Sequence, residues 1–178
     1  VTATATLGAL SVEAAASVTV APDPLDLVTI SAVEVAAGEN QKLEAVAADL
    51  YGNLLDDVAV TWTLLNVDAG SVTKAGVLTA GEVTLSSDGA IEVQAVLGER
   101  TRSASTSVAV TPGALAQVAI APGPIDLGMG MTQQFVAVGA DRFGNRIAGL
   151  DFTWSVAEGG GGIDAAGLFT AGTVPGTF

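Results

Sequence analysis

The residues of this chain that could do chemistry are its carboxylates, because the 178 residues include no His and no Cys. His is the commonest general base and metal ligand near neutral pH, and Cys supplies thiol nucleophiles. Asp56 and Asp57 are adjacent, but neighbours on a strand point to opposite faces and cannot form an acid–base pair. The Gly-rich run 159–162 precedes no predicted helix and so lacks the helix N-terminus of a phosphate site. We therefore expect no catalytic residues and no enzymatic activity.

Calcium is the one ion that these carboxylates would suit, because it is bound by oxygen donors. The chain has no EF-hand-type loop, and the second linker offers only Asp126 in a comparable place. The alternative interpretation is that the carboxylates are solvated surface charges, and we expect no bound cofactor. The calcium candidates lie near an expected domain junction and are Asp23, Asp26, Glu82 and Asp88.

The charge and hydropathy of the chain exclude two classes of partner. Its net charge is −13, from 19 acidic and 6 basic residues. Nucleic-acid binding requires cationic side chains that neutralise phosphates, so this balance argues against it. No apolar run approaches the roughly 18 residues of a membrane-spanning helix. We expect neither a nucleic-acid partner nor a membrane span.

A five-residue motif occurs twice, and the rest of the chain is arranged around its two copies. The motif reads Asp, any residue, aromatic, Gly, Asn, and occupies residues 49–53 and 141–145. Gly and Asn tolerate the left-handed backbone of tight turns, and an Asp at a strand end accepts backbone N–H groups of the turn. The predicted turn residues are Asp49, Gly52 and Asn53 in the first copy and Asp141, Gly144 and Asn145 in the second.

A Trp follows each motif at the same distance, within an alternation of apolar and polar residues over 58–64 and 150–156. This period of two is typical of a half-buried strand, and no segment shows helical periodicity. We therefore expect two copies of one all-β unit. The predicted core residues are Leu43, Val60 and Trp62 in the first unit and Phe135, Phe152 and Trp154 in the second.

Residues 1–20 have the pattern of a β-hairpin with one apolar face, and they repeat the pattern of residues 91–110. One offset carries Gly8 onto Gly98 and Val20 onto Val110. Stiff Pro-containing linkers precede both units. The expected segments are therefore a terminal hairpin, 1–20, a complete first repeat, 21–110, and a second repeat, 111–178, that lacks its last two strands.

The chain resembles tandem bacterial immunoglobulin-like (BIG-type) repeats of surface proteins. The resemblance is carried by the two Asp-x-x-Gly-Asn motifs, by the Thr-Trp pairs at 61–62 and 153–154, and by the Gly-rich segments 76–81 and 167–172. It implies an all-β fold of two tandem immunoglobulin-like β-sandwiches on the bacterial cell surface or outside the cell. Because that fold serves many tasks, it does not by itself imply a function.

We expect a structural subunit or repeat window of an extracellular filament, stalk or surface layer. An adhesin segment that binds a glycan or protein, and an accessory module of a large secreted enzyme, are the alternatives. We predict that the hairpin 1–20 completes the second repeat of a neighbouring copy, head to tail, in an open polymer. Either the chain is one window of a long covalent array, or separate subunits exchange strands. A denaturing gel distinguishes them, because exchange leaves a band near 17.5 kDa.

Overall fold

A computed structural model describes all residues, Val1–Phe178, and they form an all-β chain with one 3-10 turn, Val67–Ala69. This turn is far too short to cross a bilayer, so no helix in the structure could span a membrane. The first two strands, β1 (Thr2–Leu7) and β2 (Leu10–Ala15), pair antiparallel as a sheet of their own. Every residue of this hairpin is exposed to solvent.

The first repeat contains nine strands in three sheets. The largest sheet has four strands in the order β4-β11-β10-β7, in which β4 and β11 are parallel and the other pairs antiparallel. The two smaller sheets are β3-β6 and β5-β9-β8. The bounds are β3 (Leu27–Ile30), β4 (Val33–Ala36), β5 (Asn40–Lys42), β6 (Ala45–Ala48), β7 (Ala59–Leu64), β8 (Gly70–Val72), β9 (Val77–Ala80), β10 (Leu85–Leu97) and β11 (Arg100–Thr111).

The core of the first repeat lies under the four-stranded sheet. Ile91, Val93 and Val108 on its two central strands are completely buried. They alternate with more exposed residues, as the pleat of a strand requires when one face is covered. All buried apolar side chains of the molecule lie between Leu25 and Val110, so the second repeat has no buried apolar side chain.

The second repeat contains six strands in two small sheets, β12-β14-β15 and β13-β17-β16. The sheets correspond to β3-β6 and β5-β9-β8 of the first repeat, because equivalent strands form the same antiparallel pairs in both repeats. No counterpart of the four-stranded sheet is formed. The bounds are β12 (Gln117–Ala121), β13 (Thr132–Gln134), β14 (Val136–Ala140), β15 (Arg146–Ile147), β16 (Gly161–Ile163) and β17 (Leu168–Ala171).

The structure corrects the expectation of a strand around the second Trp, since the segment 151–156 is not a strand. Its side chains still alternate: Phe152 and Trp154 are half-buried, while Thr153 between them is exposed. The equivalent segment of the first repeat is strand β7, which pairs with β10. A strand is defined by ladder hydrogen bonds to a neighbour. The second repeat has no neighbour of that kind at this position, so the segment keeps the side-chain pattern without the ladder.

Candidate functional site

Each Asp-x-aromatic-Gly-Asn motif folds into a loop whose Asp side chain accepts hydrogen bonds from the loop itself. Asp49 Oδ1 accepts from the N–H groups of Tyr51 and Asn53, both at 2.9 Å. Asp49 Oδ2 accepts from Asn53 Nδ2 at 2.8 Å and from the Asp23 N–H at 2.9 Å. Gly52 completes the turn with a φ of +84°. The carboxylate thus ties the loop to the linker that enters the repeat.

The second motif repeats this arrangement. Asp141 accepts from the N–H groups of Phe143, Asn145 and Gly113, and from Asn145 Nδ2, at 2.8–2.9 Å. Gly144 has a φ of +87°. Asp141 is completely buried. Both repeats therefore use one carboxylate to hold both the turn and the entering linker.

These hydrogen bonds lower the pKa of both carboxyl groups from the ordinary 3.8 to about 2. For Asp49 the side-chain hydrogen bond from Asn53 lowers the pKa most, and it outweighs the opposing effect of burial. For Asp141 burial is the largest influence and acts to raise the pKa. The donors Asn145, Gly113 and Phe143 together outweigh it. A carboxylate that accepts several N–H bonds is stabilised in its charged form.

The two motif loops differ in what lies beyond them. The second loop docks on the end of the first repeat, where Asn145 Nδ2 donates to the Glu82 carbonyl at 2.6 Å. The Thr84 N–H donates to Asn145 Oδ1 at 3.1 Å. Phe143 packs against the core of the first repeat. The loop with Tyr51 has no such neighbour, and Tyr51 is 77% exposed.

Asn145 and Phe143 therefore form the junction between the repeats, a role that the sequence analysis did not assign to them. The position of the motif in the sequence could have indicated this role, since a loop that is tied to the entering linker lies beside the preceding repeat. The ladder between β4 and β11 continues to the start of the linker, where the Ala37 N–H donates to the Thr111 carbonyl at 2.8 Å.

The side of the second repeat that lacks a sheet exposes residues whose counterparts are core. Val28 of the first repeat is 3% exposed and packs in one cluster with Val93, whereas its counterpart Val118 is 58% exposed. Leu25 is fully buried, whereas its counterpart Leu115 is 52% exposed. In the first repeat β10 covers both residues, whereas no such strand covers their counterparts in the second repeat. We call this uncovered side the open face of the second repeat.

The hairpin 1–15 carries the matching set of apolar side chains. Its register is that of β10–β11: Leu7 pairs with Leu10 as Leu97 pairs with Arg100, around Gly8 and Gly98 with φ of +58° and +59°. The counterparts of the buried residues of β10 and β11 are exposed on the hairpin and its C-terminal extension. They are Val1, Ala3, Ala5, Ala16, Val18 and Val20, of which Val20 is 89% exposed.

The other predicted core residues lie as follows. Leu43 is 3% exposed, and Val60, Trp62, Phe135, Phe152 and Trp154 are half-buried. The two indole rings lie over equivalent Gly turns, where a Cβ on Gly76 would come within 2.6 Å of Trp62 and a Cβ on Gly167 within 3.0 Å of Trp154. Phe135 meets the edge of Phe169, with ring centroids 6.2 Å apart.

The four calcium candidates are not brought together. Asp26 pairs with Arg102, at 3.1 Å between Oδ1 and Nη2. Asp23 and Glu82 contribute backbone groups to Asp49 and Asn145 respectively. No three acidic side chains converge anywhere in the chain. Asp23 and Glu82 lie apart, because the linker holds Asp23 beside Asp49, whereas Glu82 lies beside Asn145 at the junction.

Comparison with solved structures supports the assignment of the fold. No family model and no curated protein matches the chain. A solved structure of the Escherichia coli adhesin FdeC is similar over 86% of this chain, with 18% identity and a TM-score of 0.52. The chain spans 59% of that structure. Domains 4–9 of the surface layer protein SbsC match over 97% of this chain and 30% of theirs, with 15% identity and a TM-score of 0.36. The likeness to FdeC shows the fold alone, which is all-β and immunoglobulin-like.

Proposed function

We propose that the chain is a structural segment of a bacterial surface or extracellular protein, built from BIG-type repeats that associate head to tail. In this proposal the hairpin 1–20 of one copy covers the open face of the second repeat of the next copy. The observation that carries the proposal is the matched exposure of the two surfaces. A hairpin with the register of β10–β11 has its apolar face in solvent, and a repeat without that hairpin has its apolar face in solvent too.

The first repeat shows how such a hairpin sits in a complete unit. Its β10 strand pairs antiparallel with β7, with Val93 opposite Trp62. Its β11 strand pairs parallel with β4, with Val108 opposite Val33. The hairpin thus lies between β4 and β7 and supplies both with ladder hydrogen bonds.

The second repeat retains a segment for each flank of the missing hairpin. The flank equivalent to β7 is 151–156, and the flank equivalent to β4 is the Ile-Asp-Leu segment 125–127, which matches Val-Glu-Val at 33–35. By the observed register, Ala3 of the partner hairpin pairs opposite Trp154, and Val18 pairs beside Ile125. Both flanks gain strand partners at once.

The energetics favour this association. Burying one Val or Leu side chain contributes about 1.5–3 kcal/mol, whereas association of two proteins costs roughly 4–15 kcal/mol. Val1, Leu7, Val12, Val18 and Val20 are each at least 70% exposed. Their burial, with that of the open face, would contribute a free energy of the same order as this cost. Pairing also removes exposed strand edges, which promote unspecific aggregation.

The same contact forms whether the two copies are separate polypeptides or successive units of one chain. It is heterologous, since the hairpin and the open face are different surfaces, and such contacts produce open arrays unless the rotation closes a ring. The proposed role is mechanical and non-enzymatic, and it requires no cofactor. An adhesin role would require exposed aromatic clusters, and of the two motif aromatics only Tyr51 is exposed.

A cysteine pair across the proposed contact tests it, and the chain has no native Cys to interfere. Gln94 pairs with Thr61 in the first repeat, so Thr4 of one copy should lie opposite Thr153 of the next. The double variant T4C/T153C should oxidise to a ladder of multiples of 17.5 kDa on a non-reducing gel.

The single variant T4C is the matched control and should form nothing larger than a dimer. The variant A3D places a charge on the apolar face and should abolish both the ladder and the polymer seen by sedimentation. T4D, on the outer face, should keep the polymer. A monomeric T4C/T153C species whose two introduced thiols form an internal disulfide, or sedimentation of the unmodified chain as a monomer, would contradict the proposal.

A further inference from the structure

We infer that the Tyr51 loop, residues 49–53, is a second contact between copies and docks on the far end of the second repeat of the preceding copy. This inference rests on the proposed head-to-tail association and names its second interface. The partner is a second copy of this chain. The model for the contact is the junction that the chain forms with itself, where the loop 141–145 docks on the first repeat.

The loop 141–145, which docks on the first repeat, and the Tyr51 loop have the same internal hydrogen bonds. In both, an Asp accepts the N–H groups of the turn and of the entering linker, so the loop has a set position relative to the strand that precedes the linker. In the observed junction that preceding strand is β11, which ends at Thr111. For the Tyr51 loop it is the hairpin segment ending at Val20. A hairpin seated in a second repeat therefore brings the Tyr51 loop to the end of that repeat.

The receiving surface is also present twice. Phe143 packs over the turn at Gly38, which has a φ of +72°, and a Cβ on Gly38 would come within 2.7 Å of the Phe143 ring. The equivalent turn of the second repeat is at Gly130, with a φ of +73°, and a Cβ there would meet no atom within 4 Å. The space that Phe143 fills at one turn is empty at the other. Tyr51 is the aromatic residue placed to fill it.

One of the two hydrogen bonds of the junction has an equivalent in the proposed contact between copies. Asn145 donates to the Glu82 carbonyl, and Thr173 occupies the equivalent position after the Gly at the end of β17. Asn53 Nδ2 can therefore donate to the Thr173 carbonyl. The second bond, from the Thr84 N–H to Asn145, has no equivalent because Pro175 stands there and has no N–H. The contact between copies thus depends more on the aromatic ring than the junction within a copy does.

Tyr51 is the single tyrosine of the chain, so tyrosine nitration followed by intact-mass spectrometry reports on the accessibility of this loop. The polymer is the oxidised T4C/T153C chain, and the reference monomer is the A3D variant. Tyr51 should be nitrated readily in the monomer, where it is 77% exposed. It should be protected in the polymer, except in the copies at chain ends.

The variant G130N, introduced into the T4C/T153C chain, should restore nitration while the disulfide ladder still forms. Asn tolerates a positive φ, but its side chain occupies the space for Tyr51. G98N is the matched control: Gly98 has a similar φ of +59° with open space around it, and protection should persist.

The outcomes separate the two proposals. A ladder with Tyr51 as reactive as in the monomer would overturn this inference and leave the hairpin contact standing. Protection that G130N does not relieve would also overturn it, because Tyr51 would then be covered by something other than the Gly130 turn. Absence of the ladder would overturn the hairpin contact and, with it, this one.

Discussion

At the residue scale, the two motif carboxylates accept more hydrogen bonds than any other side chain of the molecule. Asp49 and Asp141 each accept four hydrogen bonds, and each joins a turn to an incoming linker. A neutral carboxylic acid accepts these bonds more weakly than a carboxylate does. Protonation therefore loosens both the turn and the linker, and through Asp141 it also loosens the junction between repeats.

This coupling predicts a loss of stability in acid. A group whose pKa is lower in the folded state stabilises the fold above its ordinary pKa, and this contribution disappears as pH falls through the folded value. Since both pKa values move from 3.8 to about 2, the loss should occur between about pH 4 and pH 2. Thermal melts of the chain across this range should show a falling Tm.

The variants D49N and D141N provide the control for the acid prediction. Each should have a lower Tm than the parent chain at pH 7, because Asn is uncharged and its single side-chain oxygen replaces only one of the two carboxylate oxygens that accept hydrogen bonds. The difference from the parent should shrink as the pH approaches 2. A variant that melts below the parent by the same margin at pH 2 as at pH 7 would show that the carboxylate charge is not what holds the loop.

At the element scale, the two Trp-bearing segments show how a strand depends on its neighbour. Residues 59–64 and 151–156 have the same alternation and both present a Trp to a Gly turn. Only the first is a strand, because only the first has β10 beside it. Pairing with a neighbouring strand, more than β-propensity, decides whether such a segment forms a strand.

Replacement of each Trp should therefore have unequal effects. Trp62→Ala removes a ring that packs against both core clusters of the first repeat, and truncation of such a residue costs about 3–5 kcal/mol. Trp154→Ala should cost less in the monomer, because no sheet covers that ring. Urea unfolding followed by circular dichroism measures both. In the assembled polymer the cost of Trp154→Ala should rise toward that of Trp62→Ala, and equal costs in the monomer would contradict this account.

At the scale of the whole molecule, charge opposes the association that apolar surface favours. The net charge of −13 makes every copy repel the next. Salt screens this repulsion, since the Debye length falls from about 30 Å at 0.01 M to about 10 Å at 0.1 M. The apolar contact itself is not weakened by this screening.

Self-association should therefore increase with ionic strength. Sedimentation of the unmodified chain should show larger species at roughly 0.15 M than at roughly 0.01 M NaCl, and A3D should remain monomeric at both. The charge-reversing variant E13K on the outer face of the hairpin should associate at lower salt than the parent. Polymers that dissociate on addition of salt would indicate that ion pairs, not apolar burial, hold the copies together.

Sequence alone was sufficient for the local features of this protein. The all-β class, the two motif turns and a hairpin within residues 1–20 follow from residue types and short spacings, because turns and strand faces are set by neighbours a few residues away. The paired strands of that hairpin are Thr2–Leu7 and Leu10–Ala15, so it is shorter than predicted. The offset that maps Gly8 onto Gly98 was also readable, and the two turns have nearly the same φ.

Only the tertiary structure showed which of these segments pair with a neighbouring strand and which loops contact the other repeat. The alternation at 151–156 predicts a strand, but the ladder depends on a partner strand that residues 111–178 do not supply. The motif predicts a turn, yet only contacts between distant residues show Asn145 held by Glu82 while the Tyr51 loop is free. Likewise, spacing could not show that Asp26 faces Arg102 instead of other carboxylates. The physical reason is that hydrogen-bond partners and burial are determined by long-range packing, which a local pattern of residue types does not record.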